Sequence, residues 1–478
     1  MSLPDLSEGP IAHLYYWART KPDALALVGW NRRFTWLELL AEVQYLALEL
    51  REQELSGAVL LDLAPVSERI FVLACLHEGI LVAGLPGRLD DQVLNGVGFK
   101  YFVSLKPGPE MLNLQEIRIP LPQKTPVADF NLQPYRFRED ETFRIIFSSG
   151  STGPSKPIKF SLPAMTSRVR VVTETYLSTR PFMSLVGFRS SLGNNAFLAD
   201  LWLGLPHLIA GDVAHSLDTI REFEVKNLIS SPIVLQAFIR SPGLTNVPSV
   251  EVIGVAGAHL NTQLAKRAGE AFQAKITNLY GSTEAGIFAQ KNALDGDQYL
   301  AGSIHPEASV KILDSGGQEL GIGQEGEICV KTSFQSSGYA GHPELFVNLF
   351  RNGWFYPGDR GYLDSLGNLY VRGRTDDLIN YGGIKIDPQP IEEFALDNFL
   401  INDAACLLAT QEDGDAIYAL VVEADGKIDA LTMRTTLREA FGSAAPGIVK
   451  QVRRIPRNEN GKIVRNASIS IEPRDGRP

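Results

Sequence analysis

The chain has 478 residues, 44% hydrophobic and 21% charged, a globular composition that gives two to four structural units and ample core. Its 45 Lys and Arg against 55 Asp and Glu leave a net charge of −10, which argues against a general nucleic-acid binder. Cys75, Cys329 and Cys406 lie far apart in no metal-ligand spacing and read as reduced packing residues of a cytoplasmic protein; the opening MSLPDLSEGP lacks the regions of a signal peptide, and no apolar run suits a membrane span.

In chain order, FTWLELLAEVQYLALEL places Leu37, Leu40, Val43, Leu46 and Leu50 near helical spacing, and Thr35 with Glu38 supplies a capping-box start. AVLLDLA reads as a short buried strand and ERIFVLACLHEGILVAGL as helix then strand. That alternation predicts parallel sheets with crossover helices, and it returns in VKNLISSPIVLQAFI, VEVIGVAGA and AKITNLYGSTEAG. Between them stands IIFSSGSTGPSKPIKF, a β-rich run that opens into Ser, Gly and Thr and then lysines. Glycines allow close backbone approach, hydroxyls donate and lysines bring charge, a set that suits a phosphate. The spacing departs from the nucleotide P-loop: Gly150 and Gly153 are too close, Lys156 does not follow a Gly, and Pro157 stands where Ser or Thr belongs. Another kind of phosphate loop and a plain surface turn both stay open on composition. After about residue 300, SVKILDSGGQELGIGQEGEICVKT reads as short strands joined by Gly turns. GNLYVRGRTDDLINYGGIKIDPQPIEEF looks like a boundary, beyond which strand and helix alternate as in a small α+β domain. RNENGKIVR is a hairpin signal, with Asn460-Gly461 suited to a type I′ turn, Ile455 and Ile463 flanking it and Lys462 beside the tip.

Polar clusters fall at the ends of predicted strands, where open α/β sheets bind ligands. In NLYGSTEAG, Tyr280 offers a flat face to a base, Thr283 a hydroxyl to a phosphate and Glu284 a hard oxygen to Mg²⁺. In WFYPGDRG, Asp359 follows a Gly turn and suits a ribose diol; in VRGRTDD, Arg374 suits phosphate or ribose oxygens. Each cluster alone is more often a turn or a solvated loop.

Taken in order, SSGSTGPSK, YGSTEAG, GWFYPGD, GRTDDLINYGGIKIDPQPIE and NGKIVR resemble the acyl-adenylate-forming superfamily of acyl- and aryl-CoA synthetases, peptide-synthetase adenylation domains and firefly luciferase. The resemblance spans nearly the whole chain. It implies an α/β fold with a large N-terminal domain of parallel-rich sheets and helices, plus a β-rich subdomain, and a small mobile α+β C-terminal domain. It places the adenylation core at 1–373, with the β-rich part at about 300–373, a hinge at 374–376 and the mobile domain at 377–478.

The resemblance also implies roles. Ser148, Ser149, Gly150, Ser151, Thr152, Gly153 and Lys156 would hold the β- and γ-phosphates of ATP. Gly254 to Ala258, which includes Val255, Gly257 and Ala258, would form a wall for adenine and the acyl pocket, and Asn278, Gly281 and Ser282 would belong to the AMP site. Tyr280 would stack on adenine, Thr283 would touch the α-phosphate, Glu284 would help hold Mg²⁺, Asp359 would bind the ribose hydroxyls and Arg374 ribose or phosphate. Lys462 would sit between substrate carboxylate and α-phosphate as the catalytic cation. Asp376 matches the hinge, and Gly382 and Gly383 the loop that lines a pantetheine tunnel. The acyl pocket would involve Phe188, Arg189, Asn194, Val255 and Gly281.

Two departures from the family pattern stand out. The phosphate loop ends in Ser155-Lys156-Pro157 rather than Pro-Lys-Gly, which stiffens it. Phe188 is followed by Arg189 where relatives carry His or, in amino-acid activators, Asp, which argues against an α-amino-acid substrate. An inward Arg189 would pair with a second carboxylate or a polar acyl tail; an outward one would be a solvated surface arginine. The basic run Lys450, Arg453, Arg454, Arg457, Lys462 and Arg465 is either a field for phosphates or a solvated hairpin flank.

The implied activity is ATP-dependent activation of a carboxylic acid to acyl-AMP with pyrophosphate release. Acyl transfer to a thiol follows, with CoA as first acceptor. The alternatives are the phosphopantetheine of an acyl carrier protein or an amine. A nucleotide-binding, non-catalytic relative is the reading from a different class; the presence of Lys462, Glu284, Asp359 and Arg374 argues against it. ATP, Mg²⁺ and CoA or phosphopantetheine are the implied cofactors, and a monomer or homodimer without nucleic acid or a membrane span the implied state.

Overall fold

A computed structural model of the chain describes residues 2–87, 89, 91–104, 114–117, 126–148, 155–244, 247, 249–297, 299–341, 347–374, 377–381, 384–410, 416–457 and 463–465. The helix Trp36–Glu52 shows how local sequence sets an element. Thr35 Oγ1 accepts from the Glu38 N–H at 3.2 Å, and the Glu38 carboxylate accepts from the Thr35 N–H at 2.8 Å, so two otherwise orphaned donors are satisfied. The buried stripe runs Trp36, Leu40, Val43, Ala47 and Leu50; Leu37, one residue round the helix, is 37% exposed and faces away.

The strand Ala58–Asp62 lies in a four-stranded sheet whose ladders are all parallel. Both its faces are covered: Val59 and Leu61 join the main core, while Ala58 and Leu60 join a second cluster with Ala83, Phe102 and Ile145.

A twelve-stranded sheet positions the cavity. At one end, Phe182–Ser184, Asn227–Ser230, Val252–Val255 and Lys275–Ser282 pair in parallel. The sheet then changes character. Only residues 283–285 separate Lys275–Ser282 from Gly286–Asn292, too few for a crossover, so these strands pair antiparallel. Antiparallel pairing continues through Leu300–Ile304, Leu369–Arg374, Asp359–Leu363 and Gly326–Thr332, the β-rich stretch expected after residue 300. Thr142–Ser148, Lys156–Ser161 and Gly338–Tyr339 form a separate antiparallel sheet.

In the C-terminal segment, the strands Asp403–Thr410, Ala416–Glu423 and Ile448–Gln451 form one sheet. Ala404 and Cys406 turn to a cluster with Ile391 and Leu437 from the helices Gln389–Asn398 and Ala430–Phe441, while Ala405, Leu407 and Ala409 turn to the other face with Ile455. The hairpin tip at Asn460-Gly461 lies outside the described residues; Arg457 and Ile463 beside it pair antiparallel. Among the described residues no helix is long and apolar enough to cross a membrane, and all three cysteines are free and buried.

Candidate active site

A cavity of about 1150 Å³ opens at the C-terminal ends of the parallel strands, against residues of the C-terminal segment. The expected nucleotide residues that the structure describes, Ser148, Lys156, Gly257, Ala258, Asn278, Tyr280, Gly281, Ser282, Thr283, Glu284, Asp359 and Arg374, all line it.

Ser148 and Lys156 are register partners at the ends of two antiparallel strands, so the segment between them joins neighbouring strand ends. Ser149, Gly150, Ser151, Thr152 and Gly153 lie outside the described residues, as do Asp376, Gly382, Gly383 and Lys462. The residues that follow two of these, Asp377 and Ile463, line the cavity.

The strand Lys275–Ser282 delivers Tyr280 at its end. The phenol donates a short hydrogen bond to Asp359 Oδ2, and the ring meets Phe288 edge-on with centroids 5.1 Å apart. Burial and the neighbouring carboxylate push the Tyr280 phenol well above its usual range, so it stays a donor. Asp359 opens its strand directly opposite Arg374, after Gly358 at φ +79. Gly281 is required by close approach: a Cβ there would meet the Gly286 carbonyl oxygen at 2.1 Å.

The turn beyond Ser282 is tightly held. The Ala285 N–H donates to Ser282 Oγ at 3.0 Å, the Ser336 N–H to the Glu284 carbonyl at 2.7 Å and Thr332 Oγ1 to the Ala285 carbonyl at 3.0 Å. Glu284 is 9% exposed, and Tyr339 donates to its Oε1 at 2.8 Å. Among the described residues no group of three or more His, Cys, Asp or Glu could hold a metal by itself. A single carboxylate at the cavity wall fits a Mg²⁺ that arrives with nucleotide phosphates, since Mg²⁺ is commonly held by one or two carboxylates plus substrate oxygens.

The expected acyl-pocket residues divide. Gly281 lines the cavity; Phe188, Arg189, Asn194 and Val255 are not among its walls. Phe188 is 5% exposed, with the Arg69 guanidinium 4.6 Å over its ring and Phe197 edge-on at 5.3 Å. Asn194 is buried and accepts from Arg144 Nε at 3.4 Å, and Val255 is fully buried in its strand. Arg189 is neither turned into the cavity nor loose in solvent. It donates to Glu68 Oε1 at 2.8 Å, Asp62 Oδ1 at 3.1 Å and the Leu85 carbonyl at 3.0 Å.

The basic C-terminal run divides too. Arg453, Arg454, Arg457 and Arg465 line the cavity, but Arg457 pairs with Asp403 at 2.6 Å and Arg465 with the buried Glu392. Sequence reading missed Arg168, Tyr339, His259 and Glu393. His259 Nε2 lies 2.9 Å from Glu393 Oε1 and joins the cavity wall to the helix Gln389–Asn398.

Comparison with known proteins bears on the family and the fold. The family model described as AMP-binding enzyme matches residues 102–340. The chain is 25% identical to the 4-coumarate–CoA ligase-like 4 of Oryza sativa subsp. japonica, covering 94% of this chain and 90% of that protein. It is 24% identical to the D-alanine–D-alanyl carrier protein ligase of Bacillus licheniformis, covering 94% and 96%. The fold matches that of the amide bond synthetase McbA from Marinactinospora thermotolerans with a TM-score of 0.79 at 21% identity, over 96% of this chain and 98% of that one.

Proposed function

The chain belongs to the family of AMP-binding enzymes, and we infer that it is an AMP-forming acid–thiol ligase with CoA as its first acceptor. The observation that carries this reading is the convergence of Ser148, Lys156, Tyr280, Thr283, Glu284, Asp359 and Arg374 on one cavity from sheets far apart in sequence.

In the first step a carboxylate oxygen attacks the α-phosphorus of ATP. The bond to the bridging oxygen of the β-phosphate breaks, and pyrophosphate leaves with that electron pair. Tyr280 and Asp359 hold adenine and ribose, Thr283 donates to the α-phosphate, and Lys156 with the Ser148–Gly153 loop follows the leaving phosphates. Lys462 brings together two anions that repel in water and offsets the charge that grows on phosphorus oxygens. A Mg²⁺ held by Glu284 would neutralise charge on the pyrophosphate. In the second step a thiolate displaces AMP from the acyl carbon.

Residues 377–478 form the part that turns between the two steps, with Asp376 as hinge and Gly382-Gly383 admitting the thiol arm. In support, the contacts of that segment with the cavity wall include polar ones that a rotation can exchange: His259 with Glu393, Gln263 Nε2 with the Leu396 carbonyl at 2.7 Å, and Arg360 with Asp387 at 3.5 Å. A carrier-protein phosphopantetheine is the second reading for the acceptor. It is favoured by the Bacillus relative, which is named as a ligase for a carrier protein and aligns over nearly the whole of both chains.

The test is ATP consumption with product identification by mass spectrometry, on short, medium, aryl and dicarboxylic acids with and without CoA. Acyl-CoA from one acid class supports the reading. Acyl-AMP that accumulates and ignores CoA moves the acceptor to a carrier protein or an amine. Absence of acid-dependent pyrophosphate release overturns the ligase reading.

A further inference from the structure

The turn that presents Thr283 and Glu284 is gripped from behind by two residues outside every motif of the sequence. Arg168, near the end of the helix Leu162–Val171, is 1% exposed. Its Nη1 donates to the Thr283 carbonyl at 2.7 Å and to Ser191 Oγ at 3.0 Å, and its Nη2 donates to the Glu284 carbonyl at 3.0 Å. Nε and Nη2 also reach the Phe334 carbonyl at 3.1 and 2.9 Å, and the guanidinium stacks 4.6 Å from the Phe160 ring centroid. Burying a guanidinium is costly, and these hydrogen bonds are made to carbonyls and a hydroxyl rather than to a carboxylate. That cation therefore fixes a stretch of main chain.

Tyr339 grips the side chain. It is 3% exposed, and among the described residues its hydroxyl makes the one hydrogen bond to the Glu284 carboxylate, at Oε1. A carboxylate held by one oxygen keeps the other for a cation, in a fixed direction. Outer partners of this kind orient metal ligands and tune their affinity.

We propose that Tyr339 and Arg168 are positioning residues for the metal–nucleotide complex. Tyr339 aims the Glu284 carboxylate at the metal, and Arg168 holds the Thr283–Glu284 main chain that faces the α-phosphate. This rests on the nucleotide reading of the cavity given above. It separates two effects: Tyr339 acts on the metal alone, whereas Arg168 acts on metal and α-phosphate together.

The experiment uses the full chain as wild type, Tyr339→Phe and Arg168→Lys. Mg²⁺ is titrated calorimetrically into protein saturated with a nonhydrolysable ATP analogue, and AMP binding is measured separately in EDTA. Tyr339→Phe keeps the ring and its packing. It is expected to weaken Mg²⁺ by about 10-fold, the low end for loss of an outer-shell partner, with AMP affinity in EDTA unchanged. Arg168→Lys is expected to weaken both. If Arg168→Lys does not fold, Tyr339→Phe carries the test alone. Mg²⁺ affinity unchanged in Tyr339→Phe, or an equal loss of AMP binding in EDTA, overturns the proposal while the nucleotide reading stands. A wild-type chain that binds neither AMP nor the analogue overturns the nucleotide reading itself, and this proposal with it.

Discussion

Tyr280→Phe isolates one bond at the heart of the proposed nucleotide site. The substitution keeps the ring, its edge contact with Phe288 at 5.1 Å and its flat face toward adenine; it deletes the hydroxyl that donates to Asp359 Oδ2. A hydrogen bond to an ionised group contributes about 1.5–3 kcal/mol, and Asp359 is only partly buried, so the low end applies. About 1.4 kcal/mol is a factor of ten in an equilibrium constant, which sets the expected loss of ATP affinity near 10-fold. The loss should fall on the ribose. In the wild type, replacing ATP by 2′-deoxy-ATP removes a hydroxyl from the Asp359 carboxylate and should weaken binding; in Tyr280→Phe the carboxylate has lost the hydrogen bond that aims it, and the difference between the two nucleotides should shrink. Competition calorimetry of both nucleotides against both proteins gives the full cycle. Because the Tyr280 phenol is held well above its ordinary value of 10.0, the wild-type advantage should stay constant from about pH 6 to 9. Equal affinity of the wild type for ATP and 2′-deoxy-ATP, or an unchanged gap in the variant, refutes the assignment of this pair to the ribose.

Lys462→Ala should lower adenylation by roughly 10²–10³-fold while sparing acyl transfer from preformed acyl-AMP, as for loss of one charge-stabilising donor; equal losses in both half-reactions would sink the rotation of 377–478. Arg189→Met should leave the ranking of acid substrates unchanged but lower the unfolding free energy measured in urea by about 1–3 kcal/mol, since Glu68, 4% exposed, loses its charged partner. A switch in acid preference would return Arg189 to the acyl pocket. His13 is 1% exposed and burial holds its imidazole below 6.5, so the unfolded chain takes up a proton below that pH that the folded chain refuses. The stability His13 contributes is present above 6.5 and is lost as pH falls toward the lower folded value. The melting-temperature gap between wild type and His13→Gln should therefore shift against the wild type from about pH 7.5 to 5.5, and a shift in its favour would contradict the burial.

What could be read in advance was whatever depends on neighbours in sequence. The Thr35–Glu38 cap needed four residues and was legible. The cluster of Tyr280, Thr283, Glu284, Asp359 and Arg374 was legible only because its motifs follow one another in the order of a known family, since each alone reads as a turn or a solvated loop. The face of a helix was less so: Leu37 lies one residue round from the stripe and is exposed. The change from parallel to antiparallel pairing after Ser282 was hidden in a loop of three residues that reads as one more strand–helix repeat. Arg168 was missed because SRVRV offers two arginines with nothing local between them. Arg170 faces out, pairing with Glu307 at 2.7 Å, and Arg168 is buried by partners more than a hundred residues away. One signal was present. Met165, Arg168, Val169 and Val172 share one helical face, and a cation on an apolar stripe calls for a buried acceptor.

That distant bonding also explains how the site can be firm and changeable at once. The strand Lys156–Ser161 follows the proposed phosphate loop and runs straight into the helix that carries Arg168. Arg168 holds the Thr283–Glu284 turn, Tyr339 holds Glu284, and Tyr339 lies opposite Ile158 on a strand paired back to Lys156–Ser161. The chain of contacts is closed, so the described base of the proposed phosphate loop and the turn proposed for the metal cannot shift independently without breaking buried hydrogen bonds. Such rigidity suits the proposed task of keeping AMP aligned through both half-reactions. The C-terminal residues that line the same cavity are joined to it through His259–Glu393, Gln263–Leu396 and Arg360–Asp387, polar contacts that water can replace. Under the proposed function, a cation delivered on that side would leave after adenylation without disturbing the nucleotide, as a site serving two successive reactions on one acyl-AMP would require.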